Sequence, residues 1–248
     1  MITRIQNFIL NIFFPKFCFS CQREGNYLCQ DCQATLEISE NNFCLCQKPL
    51  RLPRAGKCQR CRSKKLRGLY FAVSYQNNLI QKLIRQFKYE PFIKELAKPL
   101  TSLIITHFQL VNNKPDFSGF FLVPVPLEKR KLKQRGFNQA EEIAKELSKS
   151  LGLEILNNVL IKIKETLPQV ELSQEEREEN VLGAFSIKNE DYNPPTTLPS
   201  FGRAPIIKNK KILLVDDVFT TGSTMEEAAK VLNEGGAKEV WGVVIARG

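Results

Sequence analysis

The chain has 248 residues, 43% of them apolar, and a formal charge of +10 from 36 lysines and arginines against 26 acidic side chains. That length and apolar fraction exclude a disordered tail or a fibrous repeat, and fit one sizeable core plus a small module. Residues 1–68 hold 12 basic and 4 acidic side chains, net +8, so the surplus points to a local anionic partner or to neutralisation of metal-bound thiolates, and not to a generally basic protein.

Ile2, Ile5, Phe8, Ile9, Ile12 and Phe13 recur at helical spacing until Pro15 stops the pattern. Residues 1–17 are therefore expected as a short amphipathic helix packed on the protein's own core. The polar face lacks the lysines and arginines of a helix lying on a membrane. Arg4, Asn7 and Asn11 break the run, so it does not read as a signal peptide, and no stretch is long enough to span a bilayer. The expected compartment is the reducing cytoplasm, where paired cysteines bind metal more often than they form disulfides.

All eight cysteines follow, as Cys18-x-x-Cys21, Cys29-x-x-Cys32, Cys44-x-Cys46 and Cys58-x-x-Cys61. These knuckle spacings let two thiolates reach one tetrahedral ion, so residues 18–68 read as a double zinc ribbon. The first grouping is 18/21/29/32 and 44/46/58/61, with crossed pairing left open by the spacing. The one-residue gap at Cys44 and Cys46 is tighter than usual. A closed Cys₄ shell has no open coordination position, which makes both zinc ions structural, and much of the module's folding free energy would come from them. Lys48, Arg51, Arg54, Lys57, Arg60, Arg62, Lys64, Lys65 and Arg67 surround the knuckles, with Phe17, Phe19, Tyr27 and Phe43 nearby. Phosphate contacts and base stacking on such a surface suit single-stranded nucleic acid. Alternatively, the aromatics pack the ribbon and the basic surface docks a protein.

From Ala72 to Phe108 the pattern is helical, with Leu79, Leu83, Ile84 and Phe87 on one face, a break near Pro91, and a second stretch through Leu96, Leu100 and Leu103. His107, the one histidine, has no nucleophile motif beside it and is read as a packing residue and not as a general base. Phe120–Val125 is a strand running into Pro124-Val125-Pro126. Lys129, Arg130, Lys131, Lys133 and Arg135 then lie on an expected strand-to-helix loop aimed at polyphosphate, or simply solvated. Ala140, Ile143, Ala144, Leu147 and Leu151 mark the buried face of a helix that Gly152 ends. Residues 189–207, rich in Pro, Asn and Ser, read as a disordered surface insertion.

Ile212–Val215 is an unbroken apolar run, as expected of a strand covered on both faces of a parallel sheet. Asp216 and Asp217 follow, then Thr220, Thr221, Gly222, Ser223 and Thr224, whose glycine lets a ligand approach the backbone. Ser223 and Glu226 have capping-box spacing, and Met225, Ala228, Ala229 and Leu232 share one face of the helix expected to start there. Val240–Ala246 reads as a second buried strand, making Lys211–Arg247 one βαβ unit. The helix amino end would make the turn a phosphate site, and two carboxylates beside it favour a sugar phosphate with Mg²⁺ over a bare phosphate.

The stretch LLVDDVFTTGST, residues 213–224, resembles the phosphoribosyl pyrophosphate (PRPP) motif of type I phosphoribosyltransferases. That resemblance implies that Asp216 and Asp217 hold the ribose hydroxyls in catalysis, and that Thr220, Thr221, Gly222, Ser223 and Thr224 hold the 5′-phosphate. Together with the PVP…R…RGFNQA pattern, the cysteine-rich amino end, and Pro168-Gln169, Leu172, Arg177, Asn180, Val181, Gly183 and Phe185, the chain resembles the ComF family of competence proteins, which are amidophosphoribosyltransferase-like. The likeness runs from Cys18 to Arg247. It implies an α/β, Rossmann-like parallel sheet flanked by helices over residues 69–248, preceded by the zinc-ribbon module. It also implies Arg130, Arg135 and Asn138 on a pyrophosphate loop, Gln169 and Arg177 on a mobile flap, and magnesium bound with PRPP. DNA uptake or nucleotide metabolism would be the setting, with single-stranded DNA and competence-machinery proteins as partners. Two departures stand out: the insertion at 189–207, and Lys131 at a position where a planar guanidinium would grip phosphate in two places. Three activities fit: phosphoribosyl transfer, PRPP binding without turnover with the ribbon contacting DNA or a partner, and a zinc-ribbon protein with a vestigial transferase half.

Overall fold

The computed structural model describes residues 15–164, 174–188 and 207–248. The helix expected over residues 1–17 lies outside them except for 15–17, as do Gln169 and residues 189–206 of the expected insertion. In chain order the elements are α1 (Gln30–Ala34), β1 (Asn42–Phe43), β2 (Arg51–Leu52), β3 (Leu69–Ser74), α2 (Asn78–Lys88), α3 (Ala97–Leu110), β4 (Phe120–Pro124), α4 (Lys129–Arg135), α5 (Gln139–Leu151), β5 (Glu154–Ile155), β6 (Leu160–Lys162), α6 (Gln174–Val181), β7 (Phe185–Ile187), β8 (Lys211–Val215), β9 (Val218–Phe219), α7 (Ser223–Glu234) and β10 (Glu239–Arg247).

The fold is α/β. One parallel sheet runs in the order β3-β10-β8-β4-β5, and β9 pairs further along β10. Val215 faces Val243 and Val218 faces Ala246, so β9 continues β8 in the same register. Ile212, Leu213, Leu214 and Val215 are fully buried, as an apolar run must be when helices cover both faces. Leu213, Val215, Val243 and Ile245 meet the apolar faces of α2, α3 and α5 on one side. Ile212, Leu214, Val240 and Val244 meet α7 and the antiparallel β6–β7 pair on the other. Each buried Leu or Ile of this kind is worth about 1.5–3 kcal/mol.

The cysteine module is not a separate bead. Cys18, Leu28, Cys29, Cys32 and Leu36 join the core on the α2–α3 side, while Cys44, Leu45, Cys61 and Leu66 join the core on the α7 side. Its two halves thus grip opposite faces of the sheet at edge strand β3. The Ser39 amide donates to the Ala72 carbonyl at 2.7 Å, helping to cover an edge that would otherwise pair with another chain. Buried His107 donates from Nδ1 to the Ser39 carbonyl at 2.5 Å, which fits the packing role, and burial holds its pKa below the ordinary value.

Four expectations need correction. Ala72 begins no helix: Leu69–Ser74 is the sheet-edge strand, and α2 starts only at Asn78, where Asn77 accepts from the amides of Leu79 and Ile80. The basic residues after β4 lie on helix α4 and not on a loop, with Gly136 in the left-handed region as its terminator. The Ser223–Glu226 capping box does not form; Gly222 occupies the cap position, and a Glu226 carboxylate oxygen accepts from the Lys65 amide at 2.6 Å instead. Finally, Ile207, assigned to the insertion, is fully buried beside α7.

Candidate functional site

β8 ends beside β4, with Val215 opposite Pro124, so the segments leaving both strands share the carboxyl edge of the sheet, where open α/β folds hold ligands. Asp216 and Asp217 sit between β8 and β9 on a backbone that β10 still holds. The Asp216 amide donates to Val243, and the Asp217 carbonyl accepts from Ile245 and Ala246. The two side chains differ in environment. Asp217 is buried and forms an ion pair with Lys88 at 2.8 Å. Asp216 accepts from the Asp217 amide at 2.9 Å. Burial first and the Asp217 carboxylate second push Asp216 up to about 7, against the pull of Lys88 and Lys162.

A small hollow next to Asp216 is lined by Thr220, Thr221, Gly222, Ser223 and Thr224. Gly222 has φ +84°, and a Cβ there would lie 2.3 Å from the buried Phe219 ring, so only glycine lets the turn close over that ring. The hydroxyls of Thr221 and Ser223 are 2.8 Å apart. Because α7 begins at Ser223, its amino end, with the positive end of its dipole, opens on the hollow. Hydroxyls, an amide-rich helix end and a carboxylate pair in one place can hold a phosphorylated polyol.

The basic residues divide. Arg130 is exposed and, among the described residues, has no partner. Arg135 donates to Gln139 at 3.0 Å and lies over the Tyr89 ring. Asn138, placed on the pyrophosphate loop by resemblance, is 4% exposed and caps α5: its oxygen accepts from Ala140 and its nitrogen donates to Val125, both at 3.0 Å. Those two bonds tie the segment leaving β4 to the start of α5. Arg177 lies on α6, with its side chain outside the described ones. Sequence reasoning passed over Lys88 and Lys162. Lys88 falls four residues after Ile84 on the buried face of α2, a signal that was legible. Lys162 lies near enough for Asp216 and Glu128 to oppose the lowering of its pKa by burial. No local pattern on so short a strand marks it.

The eight cysteines form the two groups 18/21/29/32 and 44/46/58/61, with the sulfurs of each within 4.8 Å of one another. Cys21 and Cys29 sulfurs are 3.6 Å apart, Cys46 and Cys58 3.5 Å, and Cys58 and Cys61 3.8 Å. A tetrahedral zinc with bonds of about 2.3 Å has sulfur–sulfur edges of roughly 3.8 Å, so both groups fit the ion. At the tight Cys44-x-Cys46 knuckle the Leu50 amide donates to the Cys44 sulfur at 3.1 Å.

Residues 132–248 match the phosphoribosyl transferase domain family. Competence protein F of Haemophilus influenzae is 29% identical over 242 residues, covering 89% of this chain and 98% of that protein. Competence protein ComFC of Streptococcus pneumoniae is 29% identical, covering 88% and 87% respectively. Over most of its length the chain is similar to competence proteins of the ComF type. DNA utilization protein YhgH of Salmonella typhi, 27% identical over 236 residues, is a further relative and spans 86% of the chain. A parallel-sheet domain that matches the phosphoribosyl transferase family and two Cys₄ clusters thus occur in one chain. Among the described residues no helix is long and apolar enough to cross a membrane.

Proposed function

We propose that the chain binds PRPP at the carboxyl edge of the sheet and serves DNA uptake in the cytoplasm; relatives named for competence and for DNA utilization support the DNA role. The observation that carries the PRPP reading is the convergence of Asp216 with Thr220–Thr224 on one hollow, beside the Asp217–Lys88 pair. Asp216 and Asp217 accept hydrogen bonds from the ribose hydroxyls. The Thr220–Thr224 turn holds the 5′-phosphate, and Arg130 and Arg135 reach the pyrophosphate. Gln169 and Arg177 belong to the segment that covers the sugar. Magnesium, held by the carboxylates and pyrophosphate oxygens, would neutralise the leaving charge. If transfer occurs, the anomeric C–O bond breaks with its electron pair leaving on pyrophosphate, and a C–N bond forms to a nitrogen acceptor that releases a proton. The protein's part is orientation and charge stabilisation.

The ribbon, with its net +8 over residues 1–68, contacts single-stranded DNA or a competence partner. Calorimetry and thermal melting with PRPP and Mg²⁺ test the site. We expect saturable binding and a raised melting temperature, both lost in Asp217→Asn. Absence of both in the wild-type protein overturns the reading. Pyrophosphate release across bases, amines and ammonia then separates transfer from binding without turnover.

A further inference from the structure

A second cavity, of about 260 Å³, opens at the opposite end of the sheet, at the start of β8 and β10. Lys211 is five residues from Asp216, so roughly 16 Å of strand separates it from the first site. Its walls are rings: Tyr70 stacks on Trp241 with centroids 5.7 Å apart, and Phe117 meets Tyr70 edge-on at 5.7 Å. Its rim is basic, formed by Arg54 from the ribbon, Lys114 from the α3–β4 connection and Lys211 from β8. The rim is also built across two parts of the fold, because Asn113 donates to the Pro53 carbonyl at 2.6 Å and holds the ribbon loop against that connection.

The two acids at the cavity are already engaged. Glu239 accepts from Trp241 Nε1 at 3.1 Å, and Asp116 accepts from the amide and hydroxyl of Ser118. Arg54 and Lys114 are exposed and have no acidic partner among the described residues. The Tyr70 hydroxyl makes no hydrogen bond among the described residues, and burial with Glu239 nearby raises its pKa to about 12, so it remains a donor. Flat apolar walls, one free donor and unpaired cations at the mouth match a flat heterocycle joined to phosphate.

We propose that this cavity takes the base of a nucleotide, with its phosphate held at the rim by Arg54 and Lys114. Arg51, Arg60 and Arg62, exposed in the same ribbon as Arg54, would offer a longer strand further phosphate contacts. The strand form rests on the nucleic-acid part of the proposed function; the nucleotide site itself does not.

Trp241 is the only tryptophan in the chain, so its fluorescence reports this cavity. The full-length protein is titrated with thymidine and adenosine monophosphates and, separately, with single-stranded oligonucleotides. We expect saturable quenching. Quenching by mononucleotides identifies a free-nucleotide site, and quenching by oligonucleotide alone identifies a strand site. Arg54→Ala with Lys114→Ala should weaken it about tenfold, the scale of a lost charged contact, and flatten its salt dependence by about one unit of slope per cation. Both residues are exposed, and an unchanged melting temperature confirms folding. Absence of quenching by either ligand, or quenching indifferent to both substitutions, overturns the proposal. PRPP stabilisation measured on the same samples shows independently whether the first site is intact.

Discussion

Arg247 donates from Nη1 to the carbonyl of Cys44 at 2.7 Å, and from Nη2 to that of Cys46, reaching about two hundred residues back along the chain. The guanidinium is 5% exposed and has no acidic partner among the described residues. It also lies 5.5 Å from the Phe71 ring and 5.4 Å from the Phe219 ring, and Phe219 is the ring on which Gly222 closes. Four thiolates around Zn²⁺ carry a net charge of −2, which gives a buried cation reason to sit beside their carbonyls. The second cysteine cluster therefore meets the Thr220–Thr224 turn through two side chains.

Arg247→Met should destabilise the protein by about 2–4 kcal/mol, since it strands two carbonyls and removes a buried cation. Arg247→Lys should recover only part of this, because one ammonium cannot span both carbonyls in the plane the guanidinium uses. Denaturant unfolding checks both. A loss below 1 kcal/mol for Arg247→Met would show that the contact is not structural.

Lys88 and Asp217 are the pair to separate next. Lys88→Met should cost about 2–4 kcal/mol by leaving a buried carboxylate unpaired, toward the low end because the lysine side chain stays 26% exposed. Asp217→Asn removes that penalty, so the double variant should be more stable than the sum of the single losses by about 1–3 kcal/mol. Additive losses would mean that solvent, and not Lys88, satisfies Asp217.

Asp216 sets a pH dependence. Its folded pKa, raised to about 7, lies above an ordinary aspartate's value of about 3.9. The folded state thus binds more protons than the unfolded state between those limits. Its contribution to stability is fully present below about pH 4 and is lost as pH rises toward 7. Asp216→Asn should remove that slope. PRPP binding needs the charged carboxylate, so affinity should climb toward pH 7 with proton release, read by calorimetry in buffers of different ionisation heat. Equal proton release in wild type and Asp216→Asn would assign the titration to the ligand.

Much of this was legible in local pattern. The run Ile212–Val215, the acids after it, the turn around Gly222 and the periodicity of α7 are all set by neighbours within one turn or strand. The cysteine grouping was only the first reading of the spacing, which left crossed pairing open until the fold placed the two groups on opposite faces of the sheet. What escaped reading depends on distant partners. Leu69–Ser74 alternates weakly and sits next to helical periodicity, so only its pairing with β10 makes it a strand. Glu226 had the right spacing for a cap, but Lys65, far away in sequence, took its carboxylate. The bond from Asn138 to the Val125 carbonyl likewise depends on how β4 and α5 meet. Nothing in the local pattern marks Arg247 as buried, because its partners are the carbonyls of Cys44 and Cys46.

The two cysteine groups sit on opposite faces of the sheet, which makes metal removal separable. Elemental analysis should give two zinc ions per chain, falling to one in either Cys21→Ser or Cys46→Ser. Cys46→Ser should also weaken PRPP stabilisation, because the carbonyls that hold Arg247, and through it Phe219 and Gly222, belong to that cluster. Cys21→Ser acts on the α2–α3 side and should leave the melting shift from PRPP close to wild type, though the protein is less stable overall. The comparison is made at equal distance below each variant's melting point, so general loosening does not pass for coupling. Equal loss of the PRPP shift in both variants would break the link from the second cluster to the turn, while leaving the two-zinc count to stand or fall on its own.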